Sequence, residues 1–465
     1  MSDSGLQKRV TIVVAGVASF VVPFMMSALN VALPYIGEKF SLSAVALGWI
    51  VTAYILATAV GLLPAGRIAD IFGKKEVFVL GMAVFALASL VSAFSPSYAV
   101  LLASRVVAGI GSAMSFATGT AILTAAVEPK DRGRSLGWNV AAVYIGLSMG
   151  PPLGGGITHA LGWEWVFILG AASGLLTAAM AAWGLAHETA DAGGESFDVA
   201  GAMLWGLALI GLMCGLTMLP GLPGIAVVVF GGACFVGFVS WEYRSKSPIL
   251  DVSAFRRNRV FVFSNMAALI NYSATMAVVF LLSLYLKYQK GLTAQDVGLV
   301  MAVQPVVMTI VSPLSGRLSD RIEPGKLASF GMAFTVVVLA AFSFLQPYTS
   351  LWLIWAGLGA LGLCFGLFSS PNINAVMSSV ERRHYGIASS TLATMRVVGQ
   401  ALSMGITTLI MTLLLGSAEI GAASLPAFMQ SIRLAFAVSA VLCVFGVFAS
   451  LARGRTREVV PRSKA

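Results

Sequence analysis

The pentapeptide Gly-Arg-Ile-Ala-Asp at residues 66–70 recurs 250 residues later, at residues 316–320, as Gly-Arg-Leu-Ser-Asp. A pair of glycines, Gly48 and Gly298, keeps the same offset and stands eighteen residues upstream of the pentapeptide in each case. Both copies of the pentapeptide end a long apolar run and lead through a basic turn into the next run. This internal duplication predicts a chain built from two similar halves.

The composition excludes a water-soluble protein. Of the 465 residues, 58% are hydrophobic and only 10% are charged, whereas a soluble domain carries about 25% charged residues. The net charge of +10 does not indicate nucleic-acid binding, because the basic residues stand in short loops between apolar runs. We therefore expect a polytopic membrane protein and exclude soluble enzymes, nucleic-acid-binding proteins and disordered proteins.

Fourteen runs are apolar enough and long enough to cross a bilayer, which takes about 20 residues per helix. They lie near residues 10–33, 47–66, 77–95, 99–125, 136–158, 165–186, 199–219, 223–243, 260–286, 295–315, 327–346, 350–375, 388–415 and 431–452. The first run follows Lys8 and Arg9 and shows no small-residue cleavage pattern. We expect it to be an uncleaved span rather than a signal peptide.

The basic residues set the expected orientation. With the N-terminus inside, the inner loops and tails hold 23 Lys and Arg residues and the outer loops hold 4. This asymmetry predicts an even number of spans and both termini in the cytoplasm, in a plasma (inner) membrane. The repeat then divides the chain into a six-helix half at 1–186, two inserted helices with a basic linker at 187–259, and a second six-helix half with a tail at 260–465. Such repeat-built membrane proteins place a substrate site between the halves, near the bilayer midplane.

Several motifs resemble those of the major facilitator superfamily. Residues 66–75, GRIADIFGKK, resemble its loop signature, and residues 105–111, RVVAGIG, resemble its fourth-helix motif. Residues 146–155, GLSMGPPLGG, resemble a fifth-helix motif associated with antiporters. Fourteen spans, with NVALP at 30–34 and SPNINA at 370–375, are similar to the fourteen-helix drug:proton antiporter branch.

The resemblance implies an all-α major-facilitator fold with two six-helix halves and an inserted hairpin of two helices. It also implies a monomeric secondary transporter that exports an amphipathic, drug-like compound by alternating access in exchange for protons, with no cofactor. The expected partners are a small-molecule substrate, the lipid bilayer and protons.

The loop signature provides candidates for a conformational latch. A carboxylate just past a helix end can pair with basic side chains or with a helix N-terminus in one conformation and release them in the other. The alternative is a solvated loop charge. The candidate latch residues are Gly66, Asp70, Gly73, Lys74, Gly316 and Asp320.

Two arginines lie within apolar runs, Arg105 and Arg396. A charge at the centre of a spanning helix costs at least about 2.5–3.5 kcal/mol, so we expect both to act in a central cavity, on an anionic group or on a nearby proton carrier. Alternatively, Arg105 reaches the membrane interface or pairs with backbone carbonyls. Further cavity candidates, each equally suited to hydrogen bonds between helices, are Asn30, Tyr54, Tyr144, Asn271, Gln304 and Asn372.

The fifth-helix motif has a physical basis of its own. Gly146, Gly150 and Gly154 recur every four residues, so they share one helix face and allow close contact with another helix. Pro151 removes a backbone donor and bends the helix. The link of this motif to export comes only from the resemblance.

One departure from the branch concerns protons. The branch has an Asp in the first helix, five residues before the position of Asn30, where this chain has Met25, and no acidic residue falls securely at membrane depth. Proton exchange needs a group that gains and loses a proton where the cavity alternates. The remaining candidates are Glu164, where the branch commonly has an Arg, and the nearby His159. An organic-anion or metabolite carrier, working as a uniporter or exchanger, is therefore the alternative function.

The sequence shows no pattern for catalysis or metal binding. The four cysteines stand in apolar runs without paired spacing, and His187-Glu188 lacks the second histidine of a zinc-binding helix. We expect neither an enzyme nor a metal site.

Overall fold

The structure is a computed structural model that describes residues 3–126, 132–185, 196–245, 247–250, 258–319, 321–380, 385–416 and 418–454. The regular structure of these residues is helical, and they contain no β-strand. Thirteen segments of this described part are long and apolar enough to cross a membrane. A further helix of 30 residues, the fifth in the chain, runs alongside them. The predicted all-α polytopic fold is confirmed, with a helix count close to the predicted fourteen.

The first half contains six helices, which pack as α1 on α5, α2 on α4, and α3 on both α4 and α6. Their bounds are α1 Asp3–Phe40, α2 Ala44–Phe72, α3 Lys74–Ala93, α4 Tyr98–Ala125, α5 Arg132–Leu161 and α6 Glu164–Gly184. The inserted hairpin follows, as α7 Val199–Thr217 and α8 Leu222–Glu242.

The second half repeats this arrangement. Its first helix ends in a π-helical turn, Tyr285–Gln289, and its second crossing is divided into two short helices. The bounds are α9 Arg259–Leu284, α10 Ala294–Met301, α11 Val303–Ser319, α12 Pro324–Phe342, α13 Leu351–Ser378, α14 Tyr385–Leu415 and α15 Leu425–Ala452. The halves meet chiefly through α2 against α14 and through α5 against α10 and α11.

The hairpin packs across one of these contacts between the halves. Trp205 on α7 donates its indole N–H to the carbonyl of Ala59 on α2, at 3.1 Å. On the other side, the sulfur of Met213 lies against Gly405 of α14. Helix α8 contacts α7 and leaves most of its surface outward. The hairpin thus covers the α2–α14 contact from the lipid side.

The repeated glycines explain how closely the halves approach. A Cβ at Gly48 would stand 3.0 Å from Thr408 Oγ1 on α14, and a Cβ at Gly298 would overlap the carbonyl oxygen of Pro151 on α5. Each glycine therefore allows a helix of its own half to lie against the backbone or a small side chain of the other half. We call these two contacts the glycine seams.

One end of the bundle carries both ends of the described chain, residues 3 and 454, and we call it the termini end. The turn after α1 lies at the other end of the bundle, which we call the opposite end. The glycine seams lie toward the opposite end. There Tyr288 donates its hydroxyl hydrogen to the carbonyl of Pro34 at 3.2 Å, and Lys287 Nζ lies 3.2 Å from Glu38 Oε1. A backbone bridge joins Ser43 and Glu419. The halves are thus held together at the opposite end.

Substituting Gly298 with alanine should weaken the closed opposite end, because the added methyl group overlaps the Pro151 carbonyl and separates α5 from α10. Spin labels at the exposed residues Ala160 and Ala422, one on each half at this end, report the change. Double electron–electron resonance measures the distance between the two labels. We expect a longer component in the distance distribution. The matched control is Gly156→Ala, since a Cβ there meets nothing within 4 Å; equal distributions for the two variants would contradict the role of the seam.

Candidate substrate cavity

A cavity of about 210 Å³ lies between the two halves. It is lined by α1, α2, α4 and α5 from the first half and by α9, α10, α11, α13 and α14 from the second. Its methionine and aromatic lining consists of Met26, Met276, Met301, Met308, Tyr54, Phe116, Tyr144, Tyr272 and Phe365. Its polar lining consists of Ser27, Asn30, Thr58, Thr275, Gln304, Ser369, Arg396 and Gln400. Adaptable sulfur groups and flat rings suit an apolar organic compound.

Arg396 is the one charged residue among the described residues that line the cavity. It stands on α14, and no ion pair resolved within the described part of the chain includes it. None of the described lining residues is Asp, Glu, His or Lys. The wall of the cavity therefore carries a positive charge without a neighbouring carboxylate.

Arg105 lies behind the cavity wall. Its side chain is buried on α4, and the centre of its guanidinium group lies 4.3 Å from the ring centroid of Tyr54 and 5.6 Å from that of Phe167. Its Nε has no hydrogen-bond partner in the described structure. Tyr54 itself lines the cavity, and its hydroxyl is 2.6 Å from Ser112 Oγ. Arg105 is thus stabilised by aromatic faces and adds positive potential behind Tyr54.

Two side-chain oxygens at the cavity lack a donor in the described structure. Asn30 donates its Nδ2 to the carbonyl of Met26 at 2.9 Å, while its buried Oδ1 has no partner. Gln304 Oε1 is also buried without a partner. An unsatisfied buried acceptor costs about 1–3 kcal/mol, so both side chains line the cavity at a cost to stability.

Polar contacts join the halves at mid-depth. The hydroxyl of Tyr144 on α5 lies 3.0 Å from Ser369 Oγ on α13. The hydroxyl of Ser148, one turn further along α5, lies 3.0 Å from Thr309 Oγ1 on α11. Tyr144 lines the cavity and also helps to hold the halves together.

Besides Arg105, two of the predicted cavity residues lie outside the lining. Asn271 is fully buried in α9, and neither of its side-chain polar atoms has a partner in the described structure. Asn372 donates to the carbonyl of Ser264 at 3.1 Å and accepts from Arg453 Nη1 at 3.0 Å. Asn372 therefore contributes to the packing of α13 on α9 and on the end of α15.

Arg453 is a residue whose position the sequence did not indicate. It is 1% exposed, although it follows α15 and resembles the other basic residues of the tail. Its donors also reach Ser264 Oγ, at 3.3 Å, and the carbonyl and hydroxyl of Ser450. Burial lowers the pKa of Arg453 to about 10, so it remains charged at neutral pH. No local signal separates it from the tail, because its partners come from distant helices.

The two predicted latch loops occupy equivalent places in the halves. Gly66 on α2 faces Ala117 on α4, and Gly316 on α11 faces Ser370 on α13. Asp70 lies half-buried in the last turn of α2, and Asp320 lies outside the described residues.

The turn between α2 and α3 depends on Gly73. Its φ of +108° is in the region that favours glycine, and its N–H donates to the carbonyl of Ala69 at 3.0 Å. Lys74 begins α3. Its neighbour Lys75 is buried and donates Nζ to the carbonyl of Leu185, beyond the end of α6, at 2.6 Å. One lysine of the signature thus ties α3 to the C-terminus of α6, where a positive charge is favourable.

The fifth-helix motif forms close contacts on two sides. A Cβ at Gly146 would overlap the carbonyl of Phe20, and Cβ atoms at Gly150 and Gly154 would press against Ser27 and Ala28. These glycines therefore allow α5 to pack closely against α1. The carbonyl of Pro151 faces the other way, against Gly298, so the motif also builds one glycine seam.

The candidate proton carriers lie at the closed opposite end. Glu164 Oε1 is 2.9 Å from Lys39 Nζ, and His159 is exposed in the last turn of α5. Neither residue lines the cavity. Met25, at the position where the branch has an acid, packs against Gly170 on α6 and also lies outside the lining.

Two repeated six-helix halves around a central cavity define a polytopic transporter built from repeats. The family model of the Major Facilitator Superfamily matches residues 15–404 and 266–465. The chain belongs to the major facilitator superfamily.

Several known proteins are similar over most of their length. The riboflavin transporter RibZ of Clostridioides difficile is 28% identical over 85% of this chain and 86% of its own. The methylenomycin A resistance protein of Bacillus subtilis is 28% identical over 83% and 84%, and the multidrug resistance protein Stp of Mycobacterium tuberculosis is 27% identical over 85% and 74%. The fold matches a crystal structure of a bacterial homolog of the human lysosomal transporter Spinster, in an inward-facing and unoccupied conformation. That match has a TM-score of 0.70, 16% identity, and coverage of 96% of this chain and 97% of that one.

Alanine at Gln304 and alanine at Asn372 should have different effects. Gln304→Ala removes an amide side chain from the cavity lining, so we expect about 3–10-fold weaker binding of a transported compound without a loss of thermal stability. Asn372→Ala removes an acceptor of the buried Arg453, so we expect a lower Tm in detergent, equivalent to about 1–3 kcal/mol, at unchanged affinity. Thermal unfolding and ligand titration of both variants check the pair, and a loss of affinity with full stability in Asn372→Ala would contradict this assignment.

Proposed function

We propose that the protein exports an amphipathic organic compound across the plasma membrane by alternating access, as a monomeric secondary transporter with both termini in the cytoplasm. The observation that carries this proposal is the cavity between two halves that are joined by glycine seams at the opposite end. In the proposed cycle, the opposite end faces the outside, and the structure corresponds to the inward-facing state. Rocking of the halves would open the seams and expose the same cavity to the exterior.

The direction and the drug-like substrate are inferred from relatives. Two of the similar proteins are resistance proteins, for methylenomycin A and for multiple drugs, which is consistent with removal of a compound from the cell. RibZ is a transporter of riboflavin, a flat aromatic compound. The methionines and rings of the cavity suit compounds of this shape.

Exchange for protons is the coupling that the sequence resemblance implies. It needs a titratable group that the cavity exposes to both sides in turn. Glu164 is the candidate acid, but in the proposed inward-facing state it is paired with Lys39 at the closed end. Proton coupling through this residue would require the Lys39–Glu164 pair to separate when the opposite end opens.

The second candidate function is an organic-anion or metabolite carrier. The specific observation in its favour is the charge of the lining, where Arg396 is the one charged residue among the described positions. Arg105 behind Tyr54 adds to the positive potential. A cation in the cavity would meet these charges without an acid to offset them.

Transport by the purified protein in liposomes tests the function. Riboflavin, ethidium and 1-naphthalenesulfonate serve as neutral, cationic and anionic aromatic probes. Saturable movement of at least one probe above protein-free liposomes is expected, and ethidium movement driven by a pH gradient would support drug:proton exchange. Preferential movement of the sulfonate would support the anion carrier. If none of the three moves at any gradient, the proposed function is wrong for aromatic compounds.

Asp70→Asn tests the proposed latch. The change keeps the size of the side chain but removes its charge at the end of α2, so charge-assisted contacts made in one conformation are lost. We expect transport to fall about tenfold while the amount of protein in the membrane stays normal. The matched control is Asp296→Asn, the same change at an exposed residue of α10. Normal transport by Asp70→Asn would show that the latch is not needed.

A further inference from the structure

We propose that the cavity takes a flat aromatic anion and that its net transport is driven by the membrane potential, with Arg396 as the residue that couples charge to the cycle. This inference rests on the proposed function, because it assumes that the cavity alternates between the two sides of the membrane. It adds the charge of the substrate, its hydrogen-bonding groups and the force that drives it.

The charge of the substrate follows from the lining. Arg396 lines the cavity, and none of the described lining residues is a carboxylate. A positive charge at membrane depth is costly without a counter-charge. A carboxylate, sulfonate or phosphate on the substrate supplies that counter-charge and forms charge-assisted, bidentate hydrogen bonds with the guanidinium group. Arg105 adds potential of the same sign, but it is 4% exposed and makes no direct contact with the cavity.

The remaining groups define the rest of the ligand. Asn30 on α1 and Gln304 on α11 both line the cavity, so each half contributes one amide side chain to the lining. A ligand with polar groups at two of its edges would meet both of these side chains. The four methionines and five aromatic rings of the lining would contact the faces of a flat ring system.

The driving force follows from the charges in each step. The substrate-loaded cavity is close to neutral, because the anion offsets Arg396, so its change of access moves little charge through the membrane field. The empty cavity carries the positive charge of Arg396. When the empty cavity turns from the outside to the inside, an inside-negative potential assists that step. Each cycle then exports one negative charge and needs no proton carrier in the lining.

Two modes of transport therefore differ in their response to voltage. Net movement includes the return of the empty protein, so it responds to the membrane potential. Exchange of internal for external substrate uses only the loaded, nearly neutral protein, so it is insensitive to voltage. Net movement by a carrier that couples its substrate to protons would instead respond to the pH gradient.

The experiment uses the full-length protein in liposomes and 1-naphthalenesulfonate, whose charge does not change with pH. Valinomycin with high external potassium makes the interior positive. At 100 mV we expect the sulfonate to accumulate up to about 50-fold, with no effect of an imposed pH gradient. Exchange of radiolabelled for unlabelled sulfonate should proceed at the same rate with and without the potential.

Variants assign the coupling to Arg396. Arg396→Gln should reduce sulfonate accumulation at least tenfold, while Arg396→Lys should retain part of it. Arg244→Gln makes the same change at an exposed arginine beyond α8 and should behave as the unmodified protein. Riboflavin movement by the Arg396→Gln variant shows whether the variant is still folded and whether its cavity still opens to each side in turn.

The outcomes separate this inference from the proposed function. If riboflavin or ethidium moves but the sulfonate does not, the inference is overturned and the transporter function stands. If the sulfonate follows the pH gradient, or if Arg396→Gln accumulates it normally, the role of Arg396 is overturned. If none of the three probes moves, the proposed function itself fails.

Discussion

The arrangement of the whole molecule depends on close contact between the halves at two glycines, Gly48 and Gly298. At one seam, the carbonyl of Pro151 occupies the space where a Cβ of Gly298 would stand. At the other, Gly48 lets Thr408 approach α2. Such contacts are tight because the missing side chain of a glycine lets a backbone carbonyl or a small side chain of the other half come close, yet each contact is short. A short, tight contact at one end can therefore close the cavity without joining the halves along their full length.

The cavity has its chemical character because of where this contact lies. At mid-depth in the bundle, the hydrogen-bonded pairs Tyr144–Ser369 and Ser148–Thr309 satisfy hydroxyl groups of both halves. Arg396 also lines the cavity, but no ion pair resolved among the described residues includes it. A charge at membrane depth that the protein itself does not offset is costly. Its presence in the lining of a cavity between the halves argues for a role in binding.

The sequence predicted much of the fold because the determining features are periodic. Apolar runs of about 20 residues locate the spans. The offset shared by Gly48 and Gly298 indicates equivalent positions in the two halves, and both glycines lie at seams in the structure. The packing partner of a polar residue is not periodic. Asn372 stands at membrane depth like Asn30, but it binds Arg453, a residue that looks like part of a polar tail. Likewise, Met25 stands one residue from the cavity-lining Met26 but points toward α6. Residues one apart on a helix differ by about 100° in direction, and only the tertiary structure shows which of the two faces the cavity.

The superfamily fold supplies alternating access, and the residues that line the cavity supply selectivity. A proton-coupled exporter of cations has its acid where the cavity alternates, so substrate and proton compete for one negative site. With an arginine in the lining and no acid among its described residues, that competition has no site in this cavity. In the proposed cycle, the charge exported is therefore the charge of the substrate. The same fold can thus export a compound of opposite charge with a different energy source, because an inside-negative potential already drives anions outward.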